Sequence, residues 1–352
     1  MAPMGDWDLI TVLRVVMPMI AVVCAIIFVP WAWFWSFLAP LPDSIDDEIE
    51  GVLRHNIEGI IVFVDEAGHP PVRLAAGWKD RDQQIPLEAD TLFKIASISK
   101  LYIAAATAKL VHQGSLSLDD TLAELMPSLA DRIAHAERIT LRMLLQHRSG
   151  IPNFTDDKAF SWVKLPPDTI SAINLILDQP ASFMPDARYA YSNTNYVLIG
   201  NILDSILGYK HQRYIREALI EPIGLTQTYL QLSDVDSADV ASGYYLGYET
   251  DLKDRDYVLP GGSMVATAED VGIFLRALVD GSPFNDEEQA LYEAVYPFEH
   301  SGELPGYQTI ARYHPDLDAV VVQFVNTNGG NTVMMHGAIY RRIVNILSRS
   351  AR

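Results

Sequence analysis

Residues 97 to 114 read Ser-Ile-Ser-Lys-Leu-Tyr-Ile-Ala-Ala-Ala-Thr-Ala-Lys-Leu-Val-His-Gln-Gly, a helical stretch that is apolar on nearly every face and stops at a glycine suited to a left-handed C-cap. A helix that is apolar all round belongs at the centre of a molecule. Ser97 opens this one, and Lys100 follows three positions later on the same face, so a hydroxyl and an amine lie one turn apart. A nucleophile with a base within reach is what acyl transfer requires. The aligned backbone dipoles at the start of such a helix also favour negative charge developing nearby.

Outward from this helix, Gly59 to Val64 is a β-branched run, Glu66 to Pro71 a turn cluster and Val72 to Trp78 a second strand, which together make a hairpin. Asp43 to Asn56 ahead of it has the composition of a short helix. From Leu118 to about Thr250 helical periods are broken by Pro, Gly, Asn and Asp, with Leu141–Gln146, Ile170–Leu177, Tyr196–Leu207 and Tyr214–Ile220 as the helical pieces. Thr267 caps a helix that reaches Val279, with Asp270 three residues on in a variant of the capping box. Tyr307–His314 and Ala319–Asn326 form a second hairpin, and Val333–Leu347 a closing helix. Strands at both ends with helices between predict an α/β (α+β) fold: an antiparallel sheet assembled from the two ends of the chain, with flanking helices plus an inserted helical domain at about 115–258.

The 352 residues are 49% hydrophobic, enough for a large core. A formal charge of −19, from 26 basic and 45 acidic side chains, works against nucleic acid as a partner, and no basic stripe offsets it. The single cysteine, Cys24, excludes an internal disulfide framework and a Cys-based metal site. With no HExxH or other ligand cluster, neither metal nor organic cofactor is expected.

Residues 1–41 read as a transmembrane anchor. Val15 to Leu38 is almost wholly apolar and uncharged, and about 24 residues at ~1.5 Å each suffice for a bilayer. Pro18 and Pro30 would kink it, and Trp31, Trp33, Phe34, Trp35 and Phe37 suit a headgroup boundary. Arg14 precedes the span and Asp43, Asp46, Asp47, Glu48 and Glu50 follow it. The positive-inside tendency therefore puts the globular part, 42–352, on the exported side of a single-pass cell-membrane protein. A cleaved signal peptide is the competing reading, although the run exceeds the usual ~7–15-residue apolar region.

Three downstream features complete the constellation. Tyr191 supplies a phenol that can exchange a proton with Ser97 and pass it to a leaving group. Asn193 supplies an amide that holds a substrate carbonyl or orients Lys100. His300-Ser301-Gly302 stands just before the last hairpin, on an edge strand lining a cleft, with Gly302 letting a substrate backbone approach. The amides of Ser97 and Glu303 would then form the oxyanion hole. A base must be neutral, and a free lysine has a pKa of about 10.4; burial among Ile and Ala side chains lowers it. A second Ser-x-x-Lys, Ser161 to Lys164, lies in a loop-like stretch before Pro166-Pro167, and no Gly-x-Ser-x-Gly elbow is present.

Phe93-Lys94-Ile95-Ala96-Ser97-Ile98-Ser99-Lys100, Leu144-Leu145-Gln146-His147-Arg148-Ser149-Gly150, Tyr189-Ala190-Tyr191-Ser192-Asn193, Gly261-Gly262-Ser263-Met264 and His300-Ser301-Gly302 occur in the order of the serine β-lactamase and penicillin-binding superfamily. From about Ile60 to Asn326 the chain resembles its class C β-lactamase and DD-peptidase branch. The resemblance implies a β-lactamase/transpeptidase-like fold with the cleft between the sheet domain and the helical domain. It implies Ser97 as the acylated nucleophile, Lys100 and Tyr191 as the acid/base pair, Asn193 as a substrate-positioning group and residues 300–302 as the third motif. A His in place of the Lys-Thr-Gly of class C β-lactamases resembles DD-peptidases, D-amino-acid amidases and esterases. The expectation is a serine hydrolase acting on a small peptide, amide or ester; the alternatives are a catalytically inactive scaffold of the same fold and a true β-lactamase.

Overall fold

The computed structural model describes residues 9–28 and 39–350. In chain order the elements that matter for the site are α1 (Leu9–Phe28), α2 (Ile45–Val52), β1 (Gly59–Glu66), β2 (Val72–Asp80), β3 (Ile85–Pro86), α3 (Ser99–His112), α4 (Leu141–Leu145), α5 (Asn193–Leu207), α6 (Ala268–Asp280), β4 (Glu299–Leu304), β5 (Tyr307–His314), β6 (Ala319–Val325) and α7 (Thr332–Ser350). The sheet runs β3-β2-β1-β6-β5-β4 with every neighbour antiparallel, so the two hairpins expected at opposite ends of the chain join through β1 and β6, where Ile60 faces Val325. β4 is an edge strand, as expected for His300 to Gly302.

The period-2 alternation of β1 divides its side chains between two cores. Ile60, Val62 and Val64 pack with Ile49 and Val52 of α2 and Ile339 and Ile343 of α7. Ile61 and Phe63 face the other way, into the core that includes α3, α6 and the helical insertion. α3 runs through that second core with every residue from Ser99 to Ala108 buried, and Tyr102 stacks on Phe274 of α6 at 3.7 Å between ring centroids. Ser97 itself lies in a 3-10 turn, Ala96–Ile98, which leads into α3.

The insertion differs in detail from its reading in sequence. Its helices are short, α5 starts at Asn193 rather than Tyr196, and residues 211 to 223 form one helical run with a π turn at Arg216–Ile220. A small sheet of Phe93–Lys94, Val265–Ala266 and Thr228–Tyr229 was not expected; two-residue strands carry no periodicity to read. Asp286–Glu293 is a further unexpected helix, closed by a capping box on Asn285.

Part of the expected amino-terminal span is described. The helix covers Leu9–Phe28, with Pro18 inside it, and residues 29–38 of the expected run lie outside the described residues. Among the described residues no helix is long and apolar enough to cross a membrane.

α6 meets β1 closely at Gly272, where a Cβ would stand 2.2 Å from the Phe63 ring. Gly272→Ala should therefore lower the thermal unfolding midpoint, because overpacking by about 1–3 kcal/mol exceeds the ~1 kcal/mol that alanine gains in a helix. A raised midpoint would refute the close packing.

Candidate active site

The turn that carries Ser97 is fixed from several sides. Ile95 donates its N–H to the Met264 carbonyl at 3.1 Å and accepts at its own carbonyl from Thr309 Oγ1 at 3.1 Å. Ser99 Oγ donates to the Ala96 carbonyl at 2.6 Å and accepts from the Met264 N–H. Ala96, just before the serine, has φ +51°, a region that non-glycine residues rarely occupy. Gly302 of β4 rests against this turn, where a Cβ would lie 2.6 Å from the Ile95 carbonyl oxygen and 2.9 Å from Ala96 Cβ. Only a residue without a side chain lets the edge strand come this near the serine.

Lys100 is 1% exposed. Its Nζ donates to Ser97 Oγ at 3.1 Å, Asn193 Oδ1 at 3.0 Å and the Gly261 carbonyl at 2.7 Å. Three acceptors satisfy the three N–H bonds of an ammonium, yet burial lowers its pKa from 10.5 to about 7. Tyr191, in the extended segment before α5, donates its hydroxyl to Ser97 Oγ at 2.9 Å. Burial raises this phenol above its ordinary value, against a smaller opposing effect from its bond to Ser97. At neutral pH the arrangement is a protonated phenol and an amine close to half neutral, both on one hydroxyl oxygen.

The remaining expected residues meet at the same place. A cleft of about 1300 Å³ is lined by Ser97, Tyr191, Asn193 and the edge-strand residues His300 to Glu303. Asn193 opens α5, donates its backbone N–H to Asn153 Oδ1 at 2.9 Å and accepts from Lys100 at its own Oδ1. Of the two uses read for its amide, orienting Lys100 is the one with a bond. His300 stacks on Tyr296 and its pKa falls from 6.5 to about 3, first through desolvation and then through the charge of Lys100, so the ring is neutral. Ser301 and Glu303 are exposed while Gly302 and Leu304 are buried. The Glu303 side chain thus stands on the sheet face opposite Gly302, where Asn328 Nδ2 donates to its carboxylate at 3.3 Å. Ser161, of the second Ser-x-x-Lys, accepts locally from the Val163 N–H and lies in an irregular stretch just before a bend.

Other groups at the site have no role assigned from the sequence, although Lys94, His147 and Gly261 lie within the quoted family motifs. The Gly261 carbonyl is backbone, marked only by a glycine at φ +80° whose Cβ would approach Lys100 and Tyr196. Arg255 lines the cleft and donates to the Trp162 carbonyl and the Tyr248 hydroxyl, each at 3.2 Å. Lys94 lies beneath that loop and donates to the carbonyls of Leu252 at 3.1 Å and Arg255 at 2.7 Å. Burial lowers its pKa from 10.5 to about 8. His147 is buried beside Tyr191, its ring 4.5 Å away.

The profile of the beta-lactamase family matches residues 43–346. The chain belongs to that family. It is 24% identical over 248 residues to Protein flp of Staphylococcus aureus (strain NCTC 8325 / PS 47), an alignment that takes in 67% of this chain and 49% of flp. It is 30% identical over 154 residues to a putative D-alanyl-D-alanine carboxypeptidase of Escherichia coli (strain K12), 42% of this chain and 36% of that one. It therefore spans about half the length of these curated relatives or less. The fold is that of D-amino acid amidase from Ochrobactrum anthropi SV3, solved with L-phenylalanine amide, at a TM-score of 0.78 and 21% identity over 89% of this chain and all of the amidase.

Lysine side-chain NMR on the folded protein should show two amines titrating far below the ordinary lysine range, near pH 7 and pH 8. Lys100→Met should remove the first and Lys94→Met the second. A Lys100 amine that stays protonated to pH 10 would mean that its burial does not desolvate it.

Proposed function

We propose that this chain is a serine hydrolase that opens an amide or ester bond through an acyl-enzyme on Ser97, with small peptide-like amides as its substrate class. The observation that carries the reading is the convergence of Lys100 Nζ at 3.1 Å and Tyr191 OH at 2.9 Å on Ser97 Oγ. In its neutral form Lys100 takes the Ser97 proton as the oxygen attacks the carbonyl carbon. Tyr191, held protonated, donates to the departing nitrogen or oxygen and recovers a proton from the lysine ammonium. Asn193 keeps the amine in place, and the amides of Ser97 and Glu303 face the carbonyl oxygen as it gains charge. Water then attacks the ester with the same pair in reversed roles. Because the lysine pKa is lowered to about 7, the base form gains as pH rises through 7, and turnover rises with it.

The names of the carboxypeptidase and amidase relatives support amide cleavage. The neutral His300 offers a substrate a hydrogen bond without charge. Arg312 is paired with Glu299 across the strands, whereas Arg255 has no carboxylate partner among the described residues. A substrate carboxylate in this cleft would therefore have Arg255 as its cation.

A fluorescent penicillin or a fluorophosphonate should label the full-length protein and add its acyl or phosphonyl mass to the peptide containing Ser97; Ser97→Ala should take no label. Absence of label on the native chain, with no turnover of D-Ala-D-Ala peptides, short esters or nitrocefin, would leave an idle scaffold of this fold.

Residues 1–41 act in this reading as a membrane tether and 42–352 as the hydrolase domain, on the exported side. The apolar side chains of α1, among them Met17, Ile20, Ile26 and Ile27, stand more than half exposed, which supports a lipid-facing role for them. Removal of residues 1–41 should give a soluble protein with turnover intact. A folded truncation without turnover would count against the division.

A further inference from the structure

His147 belongs to the turn that follows α4, and nothing in the acyl-enzyme scheme uses it. It is 3% exposed and holds φ +56°, an uncommon conformation for a residue with a side chain. Its backbone carbonyl accepts the Ala190 N–H at 2.9 Å, and its ring Nδ1 accepts the Ser192 N–H at 3.2 Å. The two amides that flank Tyr191 in the chain are thus both bound by one residue. Between them the imidazole ring lies 4.5 Å from the phenol ring, tilted by 35°, and also meets Tyr189 and Tyr196. The turn is itself stitched to the start of α5. Asn195 Nδ2 donates to the Leu144 carbonyl at 3.0 Å, Ser149 Oγ donates to Asn195 Oδ1 at 2.8 Å, and Tyr196 OH reaches the Leu145 carbonyl.

We propose that His147 is a positioning residue that fixes the Tyr191 hydroxyl on Ser97 by binding the backbone on both sides of the phenol; the proposal rests on the acyl-enzyme reading above. The ring must be neutral to do so, because an Nδ1 that accepts a bond cannot carry a proton. The surroundings keep it neutral: desolvation acts first, and the charge of Lys100 opposes a further cation. The tautomer follows from the Ser192 bond and puts the ring proton on Nε2, which is buried without a hydrogen-bond partner. An apolar side chain of similar bulk would fill the space and leave the Ser192 N–H buried and unpaired. Tyr191 would then be held by its own packing and by one backbone bond.

Asparagine and glutamine separate the acceptor from the bulk. Asparagine places Oδ1 where the imidazole has Nδ1 and tolerates positive φ, whereas the longer glutamine does not put its oxygen there. With the full-length protein and a chromogenic amide or ester, His147→Gln should lower kcat by about 10- to 100-fold at a nearly unchanged KM, as misplacement of a reacting group does. His147→Asn should stay within about threefold of the wild type. In a Tyr191→Phe background His147→Gln should cost little more, since its effect passes through the phenol. A folded His147→Asn protein that loses tenfold or more in kcat would overturn the proposal, and this arm stands even if the glutamine variant does not fold. Full additivity of His147→Gln with Tyr191→Phe would overturn it too. Ser97→Ala in the same assay separates the two levels. If it keeps turnover, the acyl-enzyme reading fails; if it is dead while His147→Gln matches the wild type, only the role of His147 falls.

Discussion

The burial of one amine organises this molecule. Lys100 sits on the first turn of a helix with no solvent face, and an ammonium there is tolerable only because three oxygens close around it. Those oxygens come from three separate parts of the chain: Ser97 from the turn before α3, Asn193 from the head of α5, and Gly261 from a turn ahead of α6. Loss of any one leaves a buried donor unpaired, so the sheet domain, the helical insertion and the 261 segment are held in register by a single nitrogen. The same dryness lowers the lysine pKa and raises that of Tyr191. Structural cost and chemical competence have one cause.

Around that nitrogen the glycines set the distances. Gly302 brings the edge strand against the Ser97 turn, and Gly261, with its positive φ, turns a carbonyl onto the amine where a side chain would strike Lys100. The cleft roof is fixed in a different way, by Lys94 reaching up to two carbonyls of the loop that carries Arg255. A second buried lysine thus holds one loop of the cleft, as the first holds the Ser97 hydroxyl.

Much of this was legible in the sequence, for physical reasons that differ by element. α3 could be read because burial on nearly all sides leaves a mostly apolar run from Leu101 to Ala108, and β1 and β6 because strands buried on both faces become β-branched runs. Ser97, Lys100 and Tyr191 stood out by residue type and spacing. The insertion was less legible because its short helices are held by individual contacts, such as Asn153 Oδ1 on the Asn193 N–H and Thr194 Oγ1 on the Pro152 carbonyl, which leave no period behind. The position of His147 depends on an amide 45 residues away, and that of Gly261 on a backbone oxygen. Neither has a signature in composition or hydropathy. At the amino terminus residues 29–38 of the expected span lie outside the described residues.

A sheet built from both ends of a chain imposes an order on assembly. The β1–β2 hairpin emerges from the ribosome early, but its β1 edge has no partner until β6, some 260 positions later, has been made. Through that interval an apolar strand edge is open to pairing with other chains, and closing so long a loop makes late, slow sheet formation the rule for such a topology. A polypeptide of this design gains from a holdase during synthesis, and truncations at its carboxyl end should precipitate where internal deletions in the insertion are merely inactive.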